Sequence, residues 1–213
     1  MRGYRVIDQI LRAAGAAIAI AVLAFLPGTA QAQQVGQASA IKNMAYQTPP
    51  AQTQSVIKLQ DPVIWKAALS TPANGALEVK FLDDSKLSMG ANSNVVIDEF
   101  TYTGPGGTGQ QTLRYTKGLF RFVSGHVPKD SVKIETPTVS IGIRGTIFRT
   151  QVNDDGSGEV SVDYGPEGQT YEVIITSKSS GKVIVLHSGQ KMAFDGDGVF
   201  EGVSDGTIEG CGP

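Results

Sequence analysis

The strongest constraint on this chain is its period. From Leu77 onward, short apolar runs alternate with polar residues at every second position, and each run stops at a Gly, Asp, Asn or Ser cluster. Leu77-Glu78-Val79-Lys80-Phe81 puts three apolar side chains on one face and two charges on the other, the signature of a half-buried strand. Asp83-Asp84-Ser85-Lys86 turns the chain before Leu87-Ser88-Met89, and Gly90-Ala91-Asn92-Ser93-Asn94 turns it again into Val95-Val96-Ile97. Similar units recur at Leu119 to Val123, Val132 to Ile134, Val139 to Phe148, Val160 to Val162, Tyr171 to Ile175, Val183 to Leu186 and Met192 to Phe194. With 26 glycines and no convincing amphipathic helix between the runs, the expectation is all-β: a single antiparallel sandwich or roll of ten or more short strands. Only Ser55 to Ser70 is ambiguous. There Asp61-Pro62 can open a helical turn or sit between two short strands.

The first 32 residues read as an address. Arg2, Arg5 and Arg12 precede the apolar run Ala13 to Leu26, and Pro27-Gly28 breaks it before Ala30-Gln31-Ala32. These are the regions of a secretory signal peptide, with cutting expected between Ala32 and Gln33. The run of about 14 apolar residues is short of the roughly 20 that cross a bilayer, so no stable transmembrane anchor is expected after cleavage. Removing residues 1–32 takes away three arginines and Asp8, leaving 15 basic and 19 acidic residues, net −4. That balance argues against nucleic-acid binding. The expected organisation is a signal peptide at 1–32, a β domain at 33–200 and a flexible acidic tail at 201–213. The location expected is periplasmic or secreted.

Candidate chemistry is thin. Cys211 has no partner in the chain, so it is a free terminal thiol or the link of a disulfide dimer. One Cys with His126 and His187, some 60 positions apart, offers no metal-ligand spacing. Gly104 to Thr112 lacks the Gly-Lys-Ser/Thr ending of a phosphate loop and reads as a hairpin loop. Asn153 to Glu159 and Asp195 to Gly198 lack the order of a calcium loop and read as turns. Neither histidine adjoins a nucleophile elbow, and both read as turn or surface residues. No catalytic residue, metal site or cofactor is expected.

One run rises above composition: Lys117-Gly118-Leu119-Phe120-Arg121, then Thr136-Pro137 and Ile141-Gly142-Ile143-Arg144-Gly145-Thr146-Ile147-Phe148. Strand parity would bury Val139, Ile141, Ile143 and Ile147 together and turn Ser140, Gly142, Arg144, Thr146 and Phe148 the other way. Gly142 and Gly145 around Arg144 suggest a bulge or close backbone approach, with Arg144 as a clamp or a partner contact. Together with Ala76 to Leu87 and Asn92-Ser93, these residues resemble the FecR domain, the periplasmic sensory domain of ferric-citrate-type sigma-factor regulators. The resemblance covers about Val35 to Phe194 and favours strands for Ser55 to Ser70. It implies structural roles for Gly118, Arg121, Thr136, Pro137, Gly142, Arg144, Gly145, Thr146 and Phe148. Regulators of that type carry a cytoplasmic anti-sigma segment and a membrane helix before this domain. Here few residues precede the apolar run, so the resemblance carries over to the exported domain alone. The function expected is a non-catalytic binding or sensory module for envelope signalling, contacting a protein partner or extracytoplasmic ligand. The alternative is a structural or secreted surface β domain.

Overall fold

The computed structural model describes residues 33–210. The signal cleavage pair Ala30 and Ala32 and the terminal Cys211 lie outside the described residues. The described residues form seventeen strands and two single turns of 3-10 helix, joined by turns and loops.

The strands form two nine-stranded sheets with one strand in common. Sheet A runs β4 (Pro62–Ile64), β1 (Gln34–Lys42), β6 (Ala76–Phe81), β7 (Lys86–Met89), the second part of β9 (Gly109–Val123), β12 (Ile147–Val152), β13 (Gly158–Val162), β16 (Gln190–Phe194) and β17 (Phe200–Asp205). Sheet B runs β3 (Ser55–Val56), β2 (Tyr46–Thr48), β5 (Ala68–Ser70), β8 (Asn94–Tyr102), the first part of β9, β10 (Val132–Glu135), β11 (Val139–Ile143), β14 (Glu172–Ser177) and β15 (Val183–His187). The all-β expectation holds, and the ambiguous stretch from Ser55 to Ser70 is three short strands. Two details differ from a purely antiparallel design with a loose tail. β10 pairs parallel with β9, Val132 opposite Gln111, and the chain beyond Phe200 adds a strand to sheet A.

β9 changes sheets at one point. It pairs with β8 up to Lys117 and with β12 from Gly118 onward. Thr116 is skipped in the pairing with β8, and Gly118 takes φ +115°, a conformation side chains with a Cβ rarely adopt. A Cβ on Gly118 would lie 2.2 Å from the Ser93 hydroxyl oxygen. That hydroxyl pins the corner: Ser93 Oγ accepts the Leu119 N–H (3.1 Å) and donates to Leu119 O (3.3 Å).

The core lies between the two sheets. Leu77, Val79, Phe81, Phe120, Phe122, Phe148, Val160 and Phe194 come from sheet A, and Ile97, Leu113, Tyr115, Ile141, Val173 and Ile175 from sheet B. Burying each large side chain contributes about 1.5–3 kcal/mol, and Tyr115 stacks on Phe120 across the β9 corner at 4.0 Å. The parity expected for Val139, Ile141 and Ile143 is present, but Phe148 is fully buried and Ile147 only partly. The reason is that Arg144-Gly145-Thr146 leaves sheet B and re-enters in sheet A, whose inward side is the opposite one. Gly145, at φ +61°, makes that exit. Gly142, by contrast, sits in regular register, where an added Cβ would meet only ordinary contact with Ile174 O at 3.8 Å. Of the bulge or close backbone approach expected from the glycines around Arg144, neither occurs at Gly142.

A buried carboxylate closes the turn between β6 and β7. Asp83 is fully buried, and its Oδ1 accepts the N–H and hydroxyl of Ser85 at 3.2 and 2.6 Å. Its Oδ2 accepts the Val127 N–H at 3.3 Å, and its carbonyl accepts the His126 N–H at 2.8 Å. Gly125 lets the two segments meet, since a Cβ there would fall 2.2 Å from Asp83 O.

Gly118→Val forces both a disfavoured φ and a clash with Ser93. It is expected to cost on the order of 3 kcal/mol, read as a lower urea midpoint with an unchanged slope.

Candidate partner-binding face

The family-like residues sort into turns and pins. Thr136 is buried, and its hydroxyl donates to Val139 O (3.1 Å) and accepts the Val139 N–H (3.0 Å), closing a turn whose corner is Pro137-Thr138. Thr146 is held by Ser124, whose hydroxyl accepts the Thr146 N–H and donates to its carbonyl at 2.8 Å. Phe148 is core, and Gly118 is the sheet corner. Arg144 is exposed, its Nη1 donating to Glu172 Oε1 (3.2 Å) and its Nε 3.6 Å from Asp130 Oδ1. It therefore spans β14 and the turn before β10, at the rim of sheet B's outer face. Arg121 lies on the outer face of sheet A, on the other side of the sandwich.

The loops weighed as ligand sites are turns. Asp155 Oδ1 accepts the N–H and hydroxyl of Ser157 at 2.9 and 2.6 Å, closing the hairpin between β12 and β13. Those bonds hold its carboxyl below the usual aspartate range. Asp195 Oδ1 accepts the N–H groups of Asp197 (2.9 Å) and Val199 (2.8 Å). Gly104 to Thr108 joins β8 to β9 as a hairpin, with Thr103 N–H donating to Thr108 O at 3.1 Å. Among the described residues, no three His, Cys, Asp or Glu side chains converge as a metal site requires. His126 and His187 both have exposed side chains, in the turn after β9 and at the end of β15.

What the sequence did not disclose is the outer face of sheet B and its free edge. Across this face Val185 pairs with Ile174, Ile174 with Gly142, and Gly142 with Lys133. Because Gly142 has no side chain, the row dips into an open groove of about 270 Å³ lined by Asp130, Lys133, Gly142, Arg144, Ile174 and Thr176. One row along, Glu135 sits between Lys133 and Lys178, with Lys178 Nζ 2.6 Å from Oε2 and Lys133 also paired to it. Burial alone would raise the Glu135 carboxyl, but hydrogen bonds from the two lysines outweigh it and hold it below the ordinary glutamate range.

β15 ends the sheet. Ser188 N–H donates to Tyr171 O (3.0 Å) and Ser177 N–H to Lys182 O (2.9 Å). Antiparallel alternation then makes Val173·Leu186 and Ile175·Ile184 the hydrogen-bonded pairs and turns the N–H and C=O of Val183, Val185 and His187 outward. The His187 N–H is covered by Gln190 Oε1 at 2.9 Å. Val183 and Val185 keep their outward groups open and their side chains 55% and 41% exposed. The other edges are blunted in ways natural sheets use. β3 has two residues. β4 has the Gln47 side chain bonded to Ile64 N–H (2.9 Å) and Pro62 O (3.2 Å). β17 carries a register shift together with Glu201 and Asp205. A strand signal at Val183 to Leu186 was readable; that it would be an edge depends on sheet order.

Comparison with known proteins places the fold. The family model described as FecR protein matches residues 67–165, a narrower span than the resemblance from Val35 to Phe194. Two solved structures, each of a candidate anti-sigma factor from Parabacteroides distasonis, are similar to this chain, and the first of them shares the fold. One has TM-score 0.50 at 14% identity, the other 0.49 at 13%, and in both the match covers 66% of this chain and 60% of that one. The chain thus spans under two thirds of their length. No curated protein matches the sequence.

For Glu135 the sign of the pH dependence follows from its lowered titration. The stabilisation is complete above the unfolded-state glutamate value of about 4.3 and disappears as pH falls through the lower folded value. Glu135→Gln should therefore lower the urea midpoint at pH 7, and the difference from wild type should shrink as pH falls below about 4.3.

Proposed function

Since the chain carries a FecR domain over residues 67–165, we propose that it is an exported, non-catalytic binding module of bacterial envelope signalling that docks a protein partner by strand addition at β15. FecR-type proteins are regulatory, and protein partners go with that role. The basic start, the apolar run and the Ala30-Gln31-Ala32 sequence support delivery to the periplasm or outside the cell. The single observation that carries the docking surface is the open edge of β15, where Val183 and Val185 offer two N–H and two C=O groups beside two exposed side chains. An incoming strand would gain main-chain hydrogen bonds there, and its alternate side chains would meet Val183, Val185 and Ile174. The groove over Gly142, rimmed by Arg144 and Lys133, continues that surface inward and supplies a place for a partner side chain.

The edge lies beyond Gly165, where the family match ends.

The test is Val185→Pro. The Val185 N–H points away from β14, so proline removes an outward donor without breaking the existing ladder. The variant should keep its melting temperature within a few degrees. Site-specific photo-crosslinking from position 183 in cells should trap a discrete partner with the wild type and lose it with Val185→Pro. Undiminished crosslinking in the variant would remove the edge reading.

A further inference from the structure

The opposite face of the sandwich carries a second, independent feature. Strand alternation points Arg121 (β9), Arg149 (β12), Ser161 (β13) and Lys191 (β16) out of sheet A, and register sets them in one row: Arg121 opposite Arg149, Arg149 opposite Ser161, Ser161 opposite Lys191. Two arginines directly opposite each other on neighbouring strands repel unless an anion lies between them. Here they share one carboxylate, Asp163, whose Oδ2 is 3.6 Å from Arg121 Nε and 3.2 Å from Arg149 Nε. The shared carboxylate does not saturate the pair, because Arg149 Nε makes no hydrogen bond in this geometry and Asp163 Oδ1 accepts none. Lys191 is taken by Glu159 at 2.9 Å. The row thus holds three cations against two carboxylates.

Ser161 faces outward and is nevertheless fully buried. Part of its cover is the segment after β17. Ile208, 7% exposed, donates its N–H to Ser161 Oγ at 3.0 Å and offers its carbonyl to Arg149 Nη1. Gly206 lies against the Lys191 stem, and Gly210 reaches Leu119. Gly206 N–H still donates to Gly189 O (2.8 Å), at the end of the β16–β17 ladder, and from there the segment to Gly210 passes over β13 and β12 toward β9, held at Ile208 by side chains of the sheet face. The segment is acidic, with Asp205 before it and Glu209 within it. Gly210 itself lines a cleft of about 570 Å³ together with Lys117, Leu119, Gln151 and Asp154.

We propose that the outer face of sheet A is a docking track for an extended acidic peptide of a partner protein, and that residues 206–210 occupy it in cis as a displaceable stand-in. The specifying groups are Ser161 Oγ as acceptor for a peptide N–H, Arg149 as donor to a peptide carbonyl, and the incompletely matched Arg121–Arg149 pair as the attraction for a carboxylate. The proposal does not depend on the β15 edge, and either can fail alone.

The probe is a fluorescein-labelled Ser-Asp-Gly-Thr-Ile-Glu-Gly peptide, followed by polarisation with the full chain. Ile208→Asp, which ejects the cis segment, is expected to bind it at least tenfold more tightly than wild type. Adding Arg149→Gln should abolish that gain. A peptide with Asn and Gln in place of its acids should bind at least fivefold more weakly, as should the acidic peptide in 0.5 M salt. Equal binding by wild type and Ile208→Asp, or binding indifferent to Arg149→Gln, overturns the track, and equal binding of the neutral peptide overturns the acidic partner. If Ile208→Asp does not fold, hydrogen exchange on wild type decides: the Ile208 amide, protected by Ser161, should lose protection as peptide is added, and unchanged protection at saturating peptide overturns the proposal.

Discussion

A single strand belongs to both sheets, and the rest of the molecule is arranged around the place where it turns from one to the other. β9 gives its first residues to sheet B and its last to sheet A. A strand can do this only where the backbone leaves the pleat, which the skipped Thr116 and the φ of Gly118 accomplish. The polar groups exposed by the break cannot be left dry, and the Ser93 hydroxyl satisfies both N–H and C=O of Leu119. Once the corner is set, Tyr115 and Phe120 stack across it. The same alternation then faces Phe120 and Phe122 inward and Arg121 outward.

The residues that resemble the family motif mostly maintain this frame. Thr136 and Thr146 tie turns, Gly118 and Gly145 supply backbone angles other residues avoid, and Phe148 fills the core. Their chemistry is internal to the domain. Unspent interaction capacity is found at the edge valines of β15, outside the motif, and at the two arginines that share one aspartate, of which Arg121 belongs to the motif and Arg149 does not. A scaffold of this kind can keep its frame and change its partners, because the groups that hold the sheets together and the groups that face outward alternate along the same strands.

Most of the fold was legible because strand periodicity is local. Leu77 to Phe81 announces its own buried face, and the Gly, Asp and Asn clusters announce the turns between strands. What could not be read is whatever depends on sheet order. Phe148 was assigned to the wrong face because nothing in Ile143-Arg144-Gly145-Thr146 says that the chain changes sheets there. Asp83 looked like ordinary turn chemistry, since its burial requires Gly125 and Val127 to arrive from more than 40 positions away. Arg121 and Arg149 are 28 positions apart and become neighbours only through register. Ile208, in what read as a loose tail, gains its role from Ser161 on a strand it does not pair with. The candidate surfaces were therefore less legible than the fold: each is made by two or more segments that meet late.

The shared strand also sets an order of events. β9 pairs with β7 and β8 before it in sequence and with β10 and β12 after it, so the shared strand has all four partners only once the chain has been synthesised to Val152. Loop-closure entropy must be met before those distant pairings return anything, and topologies of this sort fold slowly. A chain that folds slowly remains threadable for longer, which is compatible with the export proposed above.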